Sequence, residues 1–181
     1  MIDAVCVRRS IAKSIKALAS LFQRSPKFRL RKNMPSYINW FDGEYAFLSN
    51  FYLCHVYMGD SINYASVEHA FQAMKSTDLS ERAEVSLAKH PADAKKAGKR
   101  LKLRAGWEDM KVDVMRQAVR SKFLDSAGLR KKLQSTGDAV LIEGNHHGDR
   151  FWGVDGYGEN MLGRLLMELR QEINETFGRP Q

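Results

Sequence analysis

The ten residues Ser66-Val67-Glu68-His69-Ala70-Phe71-Gln72-Ala73-Met74-Lys75 constrain this chain more than any other stretch. Ser66 is a good N-cap, and neither Pro nor Gly interrupts the residues after it, so a helix is expected. An α-helix turns about 100° per residue, so positions three, four and seven apart share a face. Glu68, Gln72 and Lys75 then line one side, and Val67, Phe71 and Met74 another. The apolar side is an ordinary core face. The polar side sets a carboxylate, an amide and an amine in a row on a segment apolar enough to be buried. Burying charge is costly unless it is paired or used. The plain alternative is that Glu68 complements the helix N-terminus while Lys75 snorkels to water.

The rest of the chain supplies the surroundings of such a helix. Residues 37–41 suggest a strand and Asp42-Gly43 a turn. Residues 53–58 and 62–64 flank Gly59-Asp60, a hairpin signal that leads straight into Ser66. Asp78-x-x-Glu81 has the form of a capping box opening a helix to about Lys89. Pro91 suits the first turn of another helix, with Gly98 near its end. Residues 107–124 have the apolar spacing of a long amphipathic helix. Leu129 and Leu133 suggest a short helix closed by Gly137, and residues 139–142 a buried strand. A last helix is expected from near Asn160, with Gly163 allowing close packing. The fold class is α+β: a mostly helical single domain over residues 37–177 with a small β region.

Residues 1–36 stand apart as a basic extension and linker. The formal net charge of the chain is +8, and residues 1–33 carry all of it, with nine Lys/Arg against Asp3. The remaining chain is balanced. The high pI therefore says nothing of nucleic acid at the folded domain. Ile11, Ile15, Leu18, Leu21 and Phe22 repeat at helical spacing among these cations. Such a helix can lie on an anionic surface, contact nucleic acid or address an organelle, or be a solvated extension. Lys13 and Lys16 break the apolar run that a secretory signal would need. Cys6 and Cys54 are too few for a disulfide framework or a zinc motif, which fits a reducing, cytoplasmic setting. No apolar run approaches the roughly 20 residues of a membrane span.

The second focus is the segment 143–159, with glycines at 144, 148, 153, 156 and 158. Within it Asp149-Arg150-Phe151-Trp152-Gly153 sets a carboxylate and a large aromatic beside flexible backbone. It lies between a strand and a helix N-terminus, a place suited to phosphate. The glycines lack dinucleotide-fold spacing. His146-His147 with Asp149 offers no fourth ligand, so no metal is assigned. Trp107, after Gly106, is either a core anchor or a platform for a base. No Ser/His/Asp or Cys/His nucleophile motif is recognisable, and no cofactor is called for.

Taken together the residues resemble a known family. Ser49-Asn50-Phe51, Glu68-His69-x-Phe71-Gln72-Ala73-x-Lys75, Gly106-Trp107-Glu108, Val114-Met115-Arg116, Lys122-Phe123, Thr136-Gly137, Asp149-x-x-Trp152-Gly153 and Asn160-x-Leu162-Gly163 stand in the order and spacing of the NADAR (YbiA-like) family. The match runs over roughly residues 38–174, and residues 1–33 lie outside it. The resemblance implies an N-glycosidase fold and activity. Members hydrolyse phosphorylated ribosylamino-pyrimidine intermediates of the riboflavin pathway, and related ones remove ADP-ribose from guanine bases. Both substrates join ribose C1′ to an exocyclic amine. Catalytic roles would fall on Glu68, Lys75 and Asp149. Substrate contacts would fall on Asn50, Gln72, Trp107, Trp152 and Asn160. The family often has Gly-Arg after the proline-containing helix. Here Gly98-Lys99-Arg100 stands there, so either cation is open to a role on phosphate.

The chemistry is consistent from below. A glycosylamine can open its ribose ring to an imine. A neutral lysine can exchange into that imine, release the base and leave a Schiff base for water to hydrolyse. Desolvation would help Lys75 lose its proton, and Glu68 would shuttle protons. With both on one helix, about 10 Å of rise would separate them. Direct displacement by a Glu68–Asp149 carboxylate pair is the rival mechanism. Three readings are open. The first is a hydrolase of small phosphorylated N-ribosides. The second is a hydrolase of ADP-ribosylated guanine, which a basic tail tracking phosphates would favour. The third is a non-catalytic nucleotide-binding module, against which Glu68, Lys75 and Asp149 argue.

Overall fold

The computed structural model describes residues 36–179. The amphipathic segment and linker expected before Tyr37 lie outside the described residues. The order is β1 (Tyr37–Ile38), a 3₁₀ helix (Gly43–Leu48), β2 (Val56–Tyr57), β3 (Asn63–Tyr64), α1 (Val67–Ala73), α2 (Leu79–Ser86), α3 (Pro91–Gly98), α4 (Trp107–Leu124), α5 (Ala127–Ser135), β4 (Val140–Leu141) and α6 (Met161–Phe177). Helices dominate, and the β structure is two separate two-stranded pairs, so the fold is α+β as expected. β2 and β3 form the antiparallel hairpin across Gly59-Asp60, with Val56 opposite Tyr64. β1 pairs in parallel with β4, Ile38 opposite Leu141. Among the described residues no helix is long and apolar enough to cross a membrane.

α1 is the hub. It packs on α2, α3, α4 and the hairpin strands, and all seven of its residues are buried. Ser66 caps it: the Ser66 hydroxyl oxygen accepts from the His69 amide at 3.2 Å. His69 is completely buried. Its Nε2 donates to the Ala88 carbonyl at 3.1 Å, and Nδ1 shares a hydrogen bond of 2.7 Å with the Ser66 hydroxyl. His69 is thus a structural residue tying α1 to the segment after α2. One expectation needs correction. The helix ends at Ala73, and Lys75 lies in the following turn, its amide donating to the Gln72 carbonyl at 3.3 Å. The two-turn helical spacing between Glu68 and Lys75 therefore does not apply.

The capping box at α2 is also altered. Asp78 does cap, accepting from the Ser80 amide at 2.7 Å. Glu81, however, takes the Ser76 hydroxyl, and that same hydroxyl oxygen accepts from the Asp78 amide. The turn between α1 and α2 is locked by Ser76 instead of by a reciprocal box. α6 lies on β4 at Gly163, where an added Cβ would meet the Leu141 carbonyl at 2.2 Å. The buried Arg170 ties α6 to the α5–β4 turn, donating to the Thr136 hydroxyl at 2.7 Å and the Ala139 carbonyl at 2.9 Å.

Gly98, at the end of α3, is where α3 meets α1. A Cβ there would lie 2.1 Å from Gln72 Oε1 and 2.6 Å from Gln72 Cβ. Alanine would gain about 1 kcal/mol of helix propensity over glycine. The overpacking, with Gln72 Cβ held by a fully buried helix, costs about 1–3 kcal/mol. Gly98→Ala is therefore expected to lower the melting temperature and to push the Gln72 amide out of place. Thermal denaturation of the purified variant checks the sign; a melting temperature equal to or above wild type would contradict it.

Candidate active site

A cavity of about 420 Å³ opens where the start of α1, the end of α3 and the segment after β4 meet. Its wall includes Asn50, Glu68, Gln72, Lys75, Asp149 and Trp152, with Phe51, Phe71, Lys95, Lys99, Met115, Glu143, Asn145 and His147. A more open hollow of about 530 Å³ lies along α6 among Asp138, Arg164, Glu168 and Arg179. Arg179 and Asp138 approach to 3.5 Å there while staying mostly exposed, the signature of an ordinary charged surface. The first cavity brings a lysine of lowered pKa to face two carboxyls of raised pKa, Lys75 with Glu68 and Glu143, which marks it as the candidate site.

Each wall residue has a local cause. Glu68 enters at the first turn of α1 and is buried. Its Oε1 accepts from the Gln72 amide at 2.8 Å, an i,i+4 pair made possible by Gly98 beneath Gln72. Burial raises the Glu68 pKa above the ordinary carboxylate value. The Gln72 hydrogen bond and the Lys95 and Lys75 charges oppose this, and Asp149 adds to it. Burial lowers the Lys75 pKa, and Lys95 and Lys99 push the same way while Glu68 and Glu108 resist. The lysine is thus biased toward the neutral amine. Lys95 lies in the last turn of α3 and Lys99 caps its C-terminus, so three lysines line one side of the cavity. Arg100 is not part of its wall.

The opposite wall is the segment after β4. Asn145 pins it: Asn145 Oδ1 accepts from the amides of His147 (3.2 Å) and Asp149 (3.1 Å), and Nδ2 donates to the Asp149 carbonyl at 2.8 Å. Asp149 Oδ1 in turn accepts from the Phe151 and Trp152 amides, at 3.2 and 2.9 Å. That Asx turn presents Trp152, whose ring meets Phe71 edge-on at 5.3 Å. His146 turns away onto Trp40, ring centroids 4.7 Å apart, while His147 faces the cavity. Among the described residues no three His, Cys, Asp or Glu side chains are grouped as a metal site.

Two of the expected contact residues are not on the wall. Trp107 is buried against Phe71, centroids 5.1 Å apart, and anchors the start of α4 as a core residue. Asn160 spends both ends of its amide on backbone, accepting from the Glu143 amide at 3.0 Å and donating to the Leu141 carbonyl at 2.8 Å. The first two amides of α6 are not free for phosphate either. The Met161 and Leu162 amides donate to the Phe151 and Trp152 carbonyls, each at 3.0 Å. Phosphate is better matched by Lys95 and Lys99. Sequence reasoning passed over Lys95, although its i,i+4 spacing to Lys99 was readable, and Asn145. It also passed over Glu143, the residue just after the expected buried strand. Burial, with Asp149 adding, raises the Glu143 pKa to about 7 against the pull of Lys122 and Lys95.

Comparison with known proteins agrees with this architecture. The NADAR domain family model matches residues 37–174. The N-glycosidase YbiA of Escherichia coli is 40% identical over 134 residues, covering 72% of this chain and 82% of that protein. A riboflavin biosynthesis protein of Vibrio vulnificus is 39% identical over 145 residues, covering 78% of this chain; the match spans 39% of that protein's length. The NMR structure of E. coli YbiA superposes with a TM-score of 0.71 at 34% identity, covering 84% of this chain and 94% of that one. With the family model matching most of its length, this chain belongs to the NADAR domain family.

Proposed function

We propose that this chain hydrolyses the bond between ribose C1′ and an exocyclic amine, with phosphorylated ribosylamino-pyrimidines of the riboflavin pathway as substrate. It is a hydrolase of N-glycosyl bonds, as its relatives named N-glycosidase indicate, and relatives named for riboflavin biosynthesis support the substrate class. The observation that carries the reading is a partly desolvated lysine facing carboxyls of raised pKa in one cavity. A partly desolvated amine whose pKa is lowered is more readily the neutral nucleophile that an imine carbon needs. A carboxyl whose pKa is raised by burial keeps a proton it can pass on.

In this reading the phosphate lies against Lys95 and Lys99, and the base lies against Trp152. The ribosylamine opens to an imine, the Lys75 Nζ adds to C1′, and the base departs as a free amine. Glu68 carries protons between the sugar oxygen and the lysine. Asp149 orients the ribose hydroxyls or the hydrolytic water. A cavity of about 420 Å³ suits a mononucleoside phosphate, whereas an ADP-ribosylated base would have to extend beyond it. Incubation with a ribosylaminopyrimidine phosphate and, separately, with an ADP-ribosylated guanine oligonucleotide tests the reading. Free pyrimidine and ribose phosphate from the first are expected. Turnover of the second alone would overturn the substrate class, and turnover of neither would overturn the activity.

Trp152 and Asp149 separate binding from chemistry. Trp152→Ala removes the flat platform and is expected to raise KM, with a stacking loss of roughly 1–3 kcal/mol. Asp149→Asn keeps an Oδ1 for the Phe151 and Trp152 amides, so the turn should survive and the loss should fall on kcat. Steady-state kinetics with thermal melts check both. A destabilised Trp152→Ala with unchanged KM, together with a fully active Asp149→Asn, would remove this wall from the site.

A further inference from the structure

Glu143 is the wall carboxyl with the most elaborate support and no role in the steps assigned to Lys75, Glu68 and Asp149. Its backbone is fixed on both sides: the amide donates to Asn160 Oδ1 at 3.0 Å, and the carbonyl accepts from the Val154 amide at 2.8 Å. Gly153 packs directly on it, since a Cβ there would meet the Glu143 carbonyl oxygen at 2.3 Å and Cγ at 3.1 Å. Its Oε2 is buried with no hydrogen-bond partner. An ionised carboxylate without a donor is an expensive thing to bury, and a protonated one much less so. We propose that Glu143 is a further catalytic residue, the neutral carboxylic acid that gives its proton to the exocyclic nitrogen as the base leaves. The inference rests on the N-glycosidase reading.

The charged groups facing Glu143 come from four elements: Asp149 on its own segment, Glu68 on α1, Lys95 on α3 and Lys122 on α4. The two carboxylates and burial favour the protonated form, and the two lysines oppose it. The balance, at about 7, leaves an acid poised at working pH. In the adduct, C1′ bears both the Lys75 nitrogen and the base nitrogen. The C1′–N bond to the base breaks, and its electron pair takes the Glu143 proton, so the base leaves as a neutral amine. The Lys75 nitrogen lone pair closes the C1′=Nζ iminium, and Glu143 is left as carboxylate. Water then adds to C1′ and returns one proton to Glu143. The neutral carbinolamine collapses to the free Lys75 amine and the ribose aldehyde.

The test is steady-state kinetics of the full chain on a series of N-ribosyl 5-phosphate amines whose leaving groups differ in basicity, across pH 5 to 9. Wild-type kcat should fall as pH rises through about 7, because the acid loses its proton. Glu143→Gln keeps the shape and removes the transferable proton. It should lower kcat by roughly 10²–10³-fold for basic amines, far less for the most electron-poor amine, and erase the alkaline limb. Glu143→Asp, which keeps an acid, should recover part of the loss. An equal loss in Glu143→Gln for every leaving group with the alkaline limb intact would overturn the role, as would full activity. If Glu143→Gln does not fold, a wild-type kcat that stays flat from pH 6 to 9 overturns it. Wild type inactive on the whole series and on ADP-ribosylated guanine would instead bring down the N-glycosidase reading itself.

Discussion

Lys75→Ala is expected to abolish turnover while leaving the protein folded. Removing a covalent nucleophile typically lowers kcat by about 10⁴-fold or more. The fold has little to lose. The Lys75 carbonyl, which accepts from the Arg104 amide at 2.7 Å, survives the substitution. The side chain is half-buried, and burial disfavours its charge. With its folded pKa below the ordinary lysine value, Lys75 binds fewer protons folded than unfolded between the two values. Stability therefore falls as pH drops through that window and stays lowered at neutral pH. Alanine removes the penalty, so the melting temperature should hold or rise. A collapse of both kcat and melting temperature would make Lys75 a structural residue. Full activity would remove the covalent mechanism and favour direct displacement by carboxylates.

Glu68→Gln is the second large effect expected, a fall in kcat of about 10²–10⁴-fold with KM changed much less. Glutamine retains an oxygen to accept from the Gln72 amide, so the i,i+4 pair can persist. What disappears is the group that carries protons. The folded pKa of Glu68 is raised, so the folded state holds its proton to higher pH than the unfolded chain does. Stability therefore falls as pH rises from the ordinary glutamate value through the raised one, and at neutral pH the carboxylate is a net burden. The variant should melt no lower than wild type near neutrality. Kinetics and thermal melts on the same preparation decide it. A lower melting temperature with normal kcat would make Glu68 a core residue with an accidental view of the cavity.

Most of the helical frame was legible because its punctuation is local. Ser66, Asp78 and Pro91 each open a helix where their chemistry suits the first turn. The hairpin was legible from Gly59-Asp60. The β1–β4 pairing was not, since residues a hundred positions apart leave no local trace of whom they pair with. The end of α1 was missed by two residues because nothing in Ala73-Met74-Lys75 forbids helix; what stops it is the 3₁₀-type turn onto the Gln72 carbonyl. On the cavity wall, Glu68 and Gln72 pair as their i,i+4 spacing implies, Lys75 reaches it from the turn after α1, and Asp149 and Trp152 reach it from the glycine-rich segment. Trp107 and Asn160 lie off the wall for one reason. Both are groups that can serve a ligand or the fold, and only the neighbours decide. Phe71 covers the indole, and the Leu141 and Glu143 backbone occupy the amide. Glu143 was unreadable because its importance lies in what it lacks, a donor for Oε2.

The proposed chemistry turns on an imine between substrate and protein at one lysine among those facing the cavity. Borohydride added during turnover of a ribosylaminopyrimidine phosphate reduces such an imine to a stable amine, and peptide mass spectrometry then locates it. A ribose phosphate adduct on Lys75, absent without substrate and absent from Lys75→Ala, is the predicted result. An unmodified Lys75 in enzyme that is turning over rapidly, or an adduct on Lys95 or Lys99 instead, would contradict it.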